Sequence, residues 1–137
     1  MSATSTKGTI TLLTQLTKVV HRRTTEDLLG MRWKHFMALS SLYDQAAMPQ
    51  QQLCEALMMD HNNCVLLLNE LETMGYVERR RDAEDRRRHI VELTSEGRAA
   101  FKRGILAREA VEDDVLQALD SSERRTLRAL LAKALEG

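Results

Sequence analysis

Between Asp60 and Gly97 the spacing of apolar residues changes twice, and this limits the fold more than any other feature of the chain. Residues 61–74, HNNCVLLLNELETM, place apolar side chains at helical spacing behind Asp60, a good N-cap. The run stops before Gly75, where a left-handed C-cap is required. Two stretches, Tyr76–Arg81 and Arg88–Leu93, then read as strands. In the second, His89, Val91 and Leu93 share one face and Arg88, Ile90 and Glu92 the other. The polar DAEDRR between them is the turn, and Thr94 caps a further helix. A period that passes from 3.6 to 2 and back predicts a β-hairpin inserted between two helices.

Upstream, Pro49 suits the first position of a short helix, PQQQLCEALMM, with Leu53, Ala56 and Leu57 facing inward. With the 61–74 helix it makes a helix-turn-helix candidate. Two more helices precede it. The first has Leu12, Leu13, Leu16, Val19 and Val20 from Ile10 onward, with Gly30 as its stop. The second carries Trp33, Phe36, Met37, Leu39, Leu42 and Tyr43. The first nine residues are polar and small and are expected to fray. After the hairpin, a helix runs through Phe101, Ile105, Val111, Val115 and Leu119. A capping box, Asp120 with Glu123, opens the last helix, whose stripe is Leu127, Leu130, Leu131, Ala134 and Leu135.

A helix-turn-helix followed directly by a basic hairpin is a winged helix. The expected fold is therefore mainly α with a small β-hairpin, a winged helix-turn-helix with N- and C-terminal dimerisation helices. The whole of 1–137 forms a single domain, with a DNA-binding lobe at 31–94 and dimerisation helices at 9–30 and 95–137. The terminal stripes exceed what the winged lobe can cover, which favours a homodimer. The alternative is that the terminal helices cover one another within a monomer.

Net charge is +0, but it is sorted along the chain. Residues 31–78 hold Arg32 and Lys34 against Asp44, Glu55, Asp60, Glu70, Glu72 and Glu78, whereas 79–89 hold six arginines against Asp82, Glu84 and Asp85. Phosphates respond to this local field rather than to the total. Cys54 and Cys64 fit neither a CxxC motif nor a disulfide-rich secreted scaffold, and read as small core fillers in a reducing cytoplasm. His21, His35, His61 and His89 lack zinc-site spacing, so no metal or other cofactor is expected. No stretch is apolar enough for a signal peptide or a membrane span, and no nucleophile–base pairing or phosphate loop points to an enzyme.

The run LNELETMGYVERRRDAEDRRRHIVELTSEGR at residues 68–98 closely resembles the MarR family of bacterial transcriptional regulators. The matching elements are Leu71, Glu72, Gly75, Tyr76 and Val77, then Asp85 and Arg87 at the wing tip, then Leu93, Thr94 and Gly97 at the following helix start. The flanking helices extend the likeness over almost the whole chain. It implies a dimeric winged helix that binds pseudo-palindromic double-stranded DNA, usually a repressor released by a small aromatic or phenolic ligand or by oxidation. By the family pattern Arg87 enters the minor groove, with Asp85 as the ion-pair partner that orients it. Arg86 and Arg88 are the next candidates for phosphate contacts, followed by Arg79.

The helix at 61–74 is expected to enter the major groove by its N-terminal half, with Cys64, Leu71 and either Leu67 or Leu68 facing inward. Asn62 and Asn63 would meet adenine edges, and Leu66 thymine methyls. This departs from the family, which commonly has hydroxyl residues and an arginine near Asn63 and Leu66. Gln51, in the helix before, is a candidate phosphate contact. His21, Arg22, Trp33, Phe36 and Tyr43 are the available lining for an effector pocket. A competing reading is a winged-helix protein-interaction module without DNA binding, motivated by the acidic stretch from Asp44 to Glu78.

Overall fold

The computed structural model describes residues 6–137; the expectation of fraying for residues 1–5 lies outside them. The chain divides into two compact units, one running from Thr25 to Ala107 and the other up to Thr24 and again from Arg108. One boundary falls between Thr24 and Thr25, and the other inside a long helix, between Ala107 and Arg108.

Within the central unit, α2 (Glu26–Leu29), α3 (Trp33–Tyr43), β1 (Ala47–Pro49), α4 (Gln50–Ala56), α5 (His61–Thr73), β2 (Val77–Arg81) and β3 (His89–Leu93) follow in order. The helix α6 (Ser95–Val115) begins here. Its core is aliphatic: Leu39, Leu42, Leu53, Cys64, Leu67, Leu68, Leu71, Val77 and Val91 are all buried. Both Leu67 and Leu68 face inward, resolving the choice that the sequence left open. Ala56, expected inward, is exposed at the end of α4. That helix has only seven residues, and its one buried stripe is taken by Leu53 and Cys54.

Three further expectations are corrected. The first helix does not reach Gly30. It ends at Arg23, where Thr24 turns its hydroxyl back to the carbonyl of Val20 at 2.7 Å. Thr25 then caps α2 by accepting from the Leu28 amide, and Gly30 closes that short helix with φ +83°. Hydroxyl side chains that compete for backbone groups break a helix in this way. Second, Pro49 is not inside a helix but is the last residue of a third strand. That strand pairs with β3 in the register Ala47↔Glu92, Met48↔Val91, giving an antiparallel sheet of order β1-β3-β2. Its three residues are too few for an alternation to register. Third, α6 stops at Val115, before Leu119.

The helix ends that frame the hairpin form as their residues dictate. Asp60 accepts from the Asn63 amide at 2.8 Å. At the other end, Gly75 has φ +81°, its amide donates to Glu72 and that of Tyr76 to Leu71, the double bond of a Schellman stop. Thr94 donates its hydroxyl to the carbonyl of Gly75 and accepts from the Gly97 amide, tying the end of α5 to the start of α6. A Cβ at Gly97 would lie 2.1 Å from the Tyr76 carbonyl oxygen, so no other residue fits there without displacement.

The second unit holds α1 (Thr9–Arg23), the end of α6 and α7 (Ser121–Glu136). The Asp120–Glu123 capping box is present. Arg23 pairs with Asp114, Arg124 with Asp113, and Arg128 with Glu112. Neither α1 nor α7 buries a residue, and Ile10, Leu12, Leu13, Leu130, Leu131 and Leu135 are all exposed. Much of the apolar surface of α1 and α7 is therefore left uncovered within one chain.

Candidate nucleic-acid interface

The wing is built from the β2–β3 pair, in which Arg81 lies opposite His89 and Val77 opposite Leu93. Val77, Val91 and Leu93 face the core, and the residues alternating with them, Glu78, Arg80, Ile90 and Glu92, lie on the other face. At the tip, the Arg87 amide donates to Asp85 Oδ1 at 3.1 Å, and Arg87 Nε to the same oxygen at 3.2 Å. Arg87 Nη2 reaches Asp85 Oδ2 at 3.5 Å. The bond from Arg87 holds the Asp85 carboxyl below the ordinary carboxylate range. The Arg87 side chain is nonetheless 91% exposed. Asp85 thus holds the guanidinium in one orientation without covering it, and a solvent-screened pair of this kind is readily shared with a phosphate.

The other wing arginines differ in what surrounds them. Arg88 Nε lies 3.9 Å from Asp82, Arg80 Nη2 3.9 Å from Glu92, and Arg81 donates to the carbonyl of Arg86 at 2.7 Å. Among the described residues, Arg86 makes no ion pair. Arg79, grouped with the DNA contacts on sequence grounds, is turned inward to α5. Its Nη2 donates to Glu72 Oε1 at 2.9 Å and to Asn69 Oδ1. The bond from Arg79 lowers the Glu72 carboxyl below its ordinary value. The guanidinium is mostly buried, so Arg79 joins the wing to the helix-turn-helix motif. Strand alternation puts Arg79 on the face of Val77, opposite Val91, but does not say which carboxylate it meets on α5.

On α5, His61, Asn62, Asn63, Leu66 and Asn69 are exposed along one side, opposite the buried Cys64, Leu67, Leu68 and Leu71. Asn63 Nδ2 donates to Asp60 Oδ2 at 2.9 Å, which orders that amide at the helix start. Leu66 is 59% exposed on this side of the helix. A cleft of about 420 Å³ brings Gln51, His61, Arg87, Arg88 and His89 together, with Glu55 as its carboxylate. His61 and His89 were not singled out as site residues, since neither has a spacing motif; only the meeting of wing and helix makes them neighbours.

Two of the six carboxylates in the acidic stretch, Glu70 and Glu72, are engaged by basic side chains. Glu70 Oε1 lies 3.0 Å from His35 Nε2, 3.4 Å from Lys34 Nζ and 3.8 Å from Arg32 Nη1. The hydrogen bond from His35, helped by the charge of Lys34, lowers the Glu70 carboxyl.

Cys54 and Cys64, expected as unlinked core fillers, are buried but joined in a disulfide. The expected effector lining divides between the units. His21 and Arg22 end α1, while Trp33, Phe36 and Tyr43 lie on α3. Phe36 is a core side chain stacked on Phe101 at 5.0 Å, and Tyr43 lies 4.8 Å from the same ring, with the Arg98 guanidinium 4.8 Å above Tyr43.

Over residues 29–88, which span the helix-turn-helix motif and most of the wing, the chain matches the MarR family. Among curated MarR-type relatives, the transcriptional regulator HosA of Escherichia coli is 26% identical over 113 residues, covering 76% of this chain and 84% of HosA. A probable transcriptional regulator from Pseudomonas aeruginosa superposes with a TM-score of 0.80 at 27% identity, over 93% of this chain and 97% of that one. A cysteine-to-serine mutant of MarR from E. coli, complexed with operator DNA, superposes with a TM-score of 0.78 at 26% identity, over 91% of each chain. The chain is similar to MarR-family transcriptional regulators, and these relatives are regulators rather than enzymes. No helix among the described residues is long and apolar enough to cross a membrane.

Proposed function

We propose that this chain is a homodimeric repressor that binds a pseudo-palindromic operator, with α5 in the major groove and Arg87 in the adjacent minor groove. The observation that carries the reading is the wing tip, where Asp85 orients an arginine that stays almost fully exposed. Asn62, Asn63 and Leu66 supply base-edge contacts, while Gln51, Arg86 and Arg88 supply phosphate contacts beside the shared cleft. Arg79 acts by holding the wing against α5. The operator-bound MarR relative supports the same use of the fold. The uncovered apolar faces of α1 and α7 support the dimer.

Glu70 and Glu72, two of the six acids behind the interaction-module reading, are engaged by Lys34, His35 and Arg79 rather than presented as an acidic face. A salt titration of binding to duplex DNA tests the proposal: log affinity falls linearly with log salt concentration for a phosphate binder. Absence of any retardation at low salt overturns it. Relief by a small aromatic or phenolic ligand rests on the half-buried Trp33 and Tyr43. Trp33 is the single tryptophan, so quenching of its fluorescence by salicylate-type acids reads binding directly.

A further inference from the structure

The two cysteines sit on the two helices that define the DNA-reading motif, Cys54 on α4 and Cys64 in the first turn of α5. They are bonded with a Cα–Cα separation of 5.7 Å and ten positions apart in sequence. That separation falls in the range an unstrained backbone offers a disulfide. The hydrogen bonds that shape the turn are present together with the bond. Met59 donates its amide to the carbonyl of Cys54 at 3.1 Å, Cys64 donates to that of Asp60 at 3.0 Å, and Asp60 still caps α5. Closing the bond is therefore compatible with the helix-turn-helix geometry that DNA reading requires.

The two sulfurs are not equally placed. Cys64 is fully buried at 0% exposure, whereas Cys54 is 7% exposed and lines the cleft shared by Gln51, His61, Arg87 and Arg88. An oxidant entering that cleft meets Cys54 first, with Cys64 behind it as the resolving thiol.

We propose that Cys54 and Cys64 form a reversible dithiol–disulfide pair that staples α4 to α5, so that oxidation by a hydroperoxide hardens the DNA-reading motif instead of dismantling it. The Cys54 thiolate attacks one oxygen of the hydroperoxide, and the O–O bond breaks. The departing alkoxide takes a proton and leaves as alcohol, and Cys54 becomes a sulfenic acid. The Cys64 sulfur then attacks the Cys54 sulfur, forming the S–S bond as the S–O bond breaks. The hydroxide leaves with the proton from Cys64 as water. Two thiols lose two electrons and the peroxide gains them. A dithiol reductant reverses the change through a mixed disulfide. The crosslink encloses the turn that holds Met58, whose φ of +53° is sparsely populated for a non-glycine residue, and limits how far that turn opens. The direction of the effect on DNA rests on the proposed function; the staple itself does not.

The test uses the full chain, reduced with dithiothreitol, freed of reductant and treated with one equivalent of hydrogen peroxide. Intact mass falls by about two hydrogens and both maleimide-reactive thiols disappear, returning on reduction. The oxidised form melts about 5–10 °C higher and exchanges the amides of residues 57–66 more slowly. Cys64→Ala and, separately, Cys54→Ala remove this difference, each compared with its own reduced form. Affinity for a mixed-sequence duplex at low salt stays within about twofold between redox states. Thiols that persist, or that gain oxygen without the mass loss, overturn the staple. So does a tenfold fall in affinity on oxidation, which would make the bond a release switch. A duplex left unbound by both forms sinks the DNA reading alone, while thiol count, melting and exchange still judge the staple.

Discussion

At the scale of single residues, the family's motif positions resolve into physical demands. Gly75 is needed for its left-handed φ, Gly97 because the Tyr76 carbonyl leaves no room for a Cβ, and Thr94 because one hydroxyl both donates and accepts. Gly97→Ala is expected to destabilise the fold by about 2 kcal/mol or more, since backbone has to move. Thermal denaturation of the variant checks this. Asp60→Ala removes a satisfied N-cap and is expected to cost about 1 kcal/mol, read as a lower denaturant midpoint at unchanged slope. Arg87→Ala is expected to weaken duplex binding at every sequence and to reduce the slope of log affinity against log salt by about one. Equal slopes for wild type and variant would remove Arg87 from the phosphate or minor-groove contact.

Between elements, the long-range pairs matter most. Arg79 and Glu72 couple the wing to the end of α5, and His35 with Lys34 couples α3 to the same helix through Glu70. Both glutamates titrate below the ordinary 4.5. Their ionised forms therefore stabilise the folded state above that pH, and the contribution is lost as pH falls through the lowered values. Melting temperature is expected to fall more steeply as pH drops below the ordinary 4.5 in wild type than in a Glu70→Gln, Glu72→Gln double variant. Identical acid limbs would mean that these pairs contribute nothing. The hairpin was legible from its alternation, but the partner of Arg79 was not. A charge run looks uniform in sequence, and which of its members meets a carboxylate depends on where another helix ends.

For the whole molecule, the outstanding feature is apolar surface without a cover. Ile10, Leu12 and Leu13 on α1, and Leu130, Leu131 and Leu135 on α7, remain exposed in the single chain. Each square ångström removed from water is worth about 25 cal/mol, so a second copy is the economical solution. Light scattering is expected to report a dimer, and Leu131→Glu with Leu135→Glu to shift it toward monomer and to weaken operator binding. A wild-type monomer at micromolar concentration would contradict the dimer, and with it the two half-sites about one helical turn apart.

Local chemistry needs only neighbouring residues, so the sequence alone determined the helix order, the capped ends at Asp60, Gly75 and Asp120, the hairpin and its facing, and the MarR resemblance. Tertiary structure decided which carboxylate holds Arg79 against α5, the third strand at Ala47–Pro49, and the bond between Cys54 and Cys64. Each of these depends on distances between segments remote along the chain or too short to show a period. Spacing along a sequence carries no information about such distances until the core of Leu39, Leu53, Leu68 and Val91 closes around them.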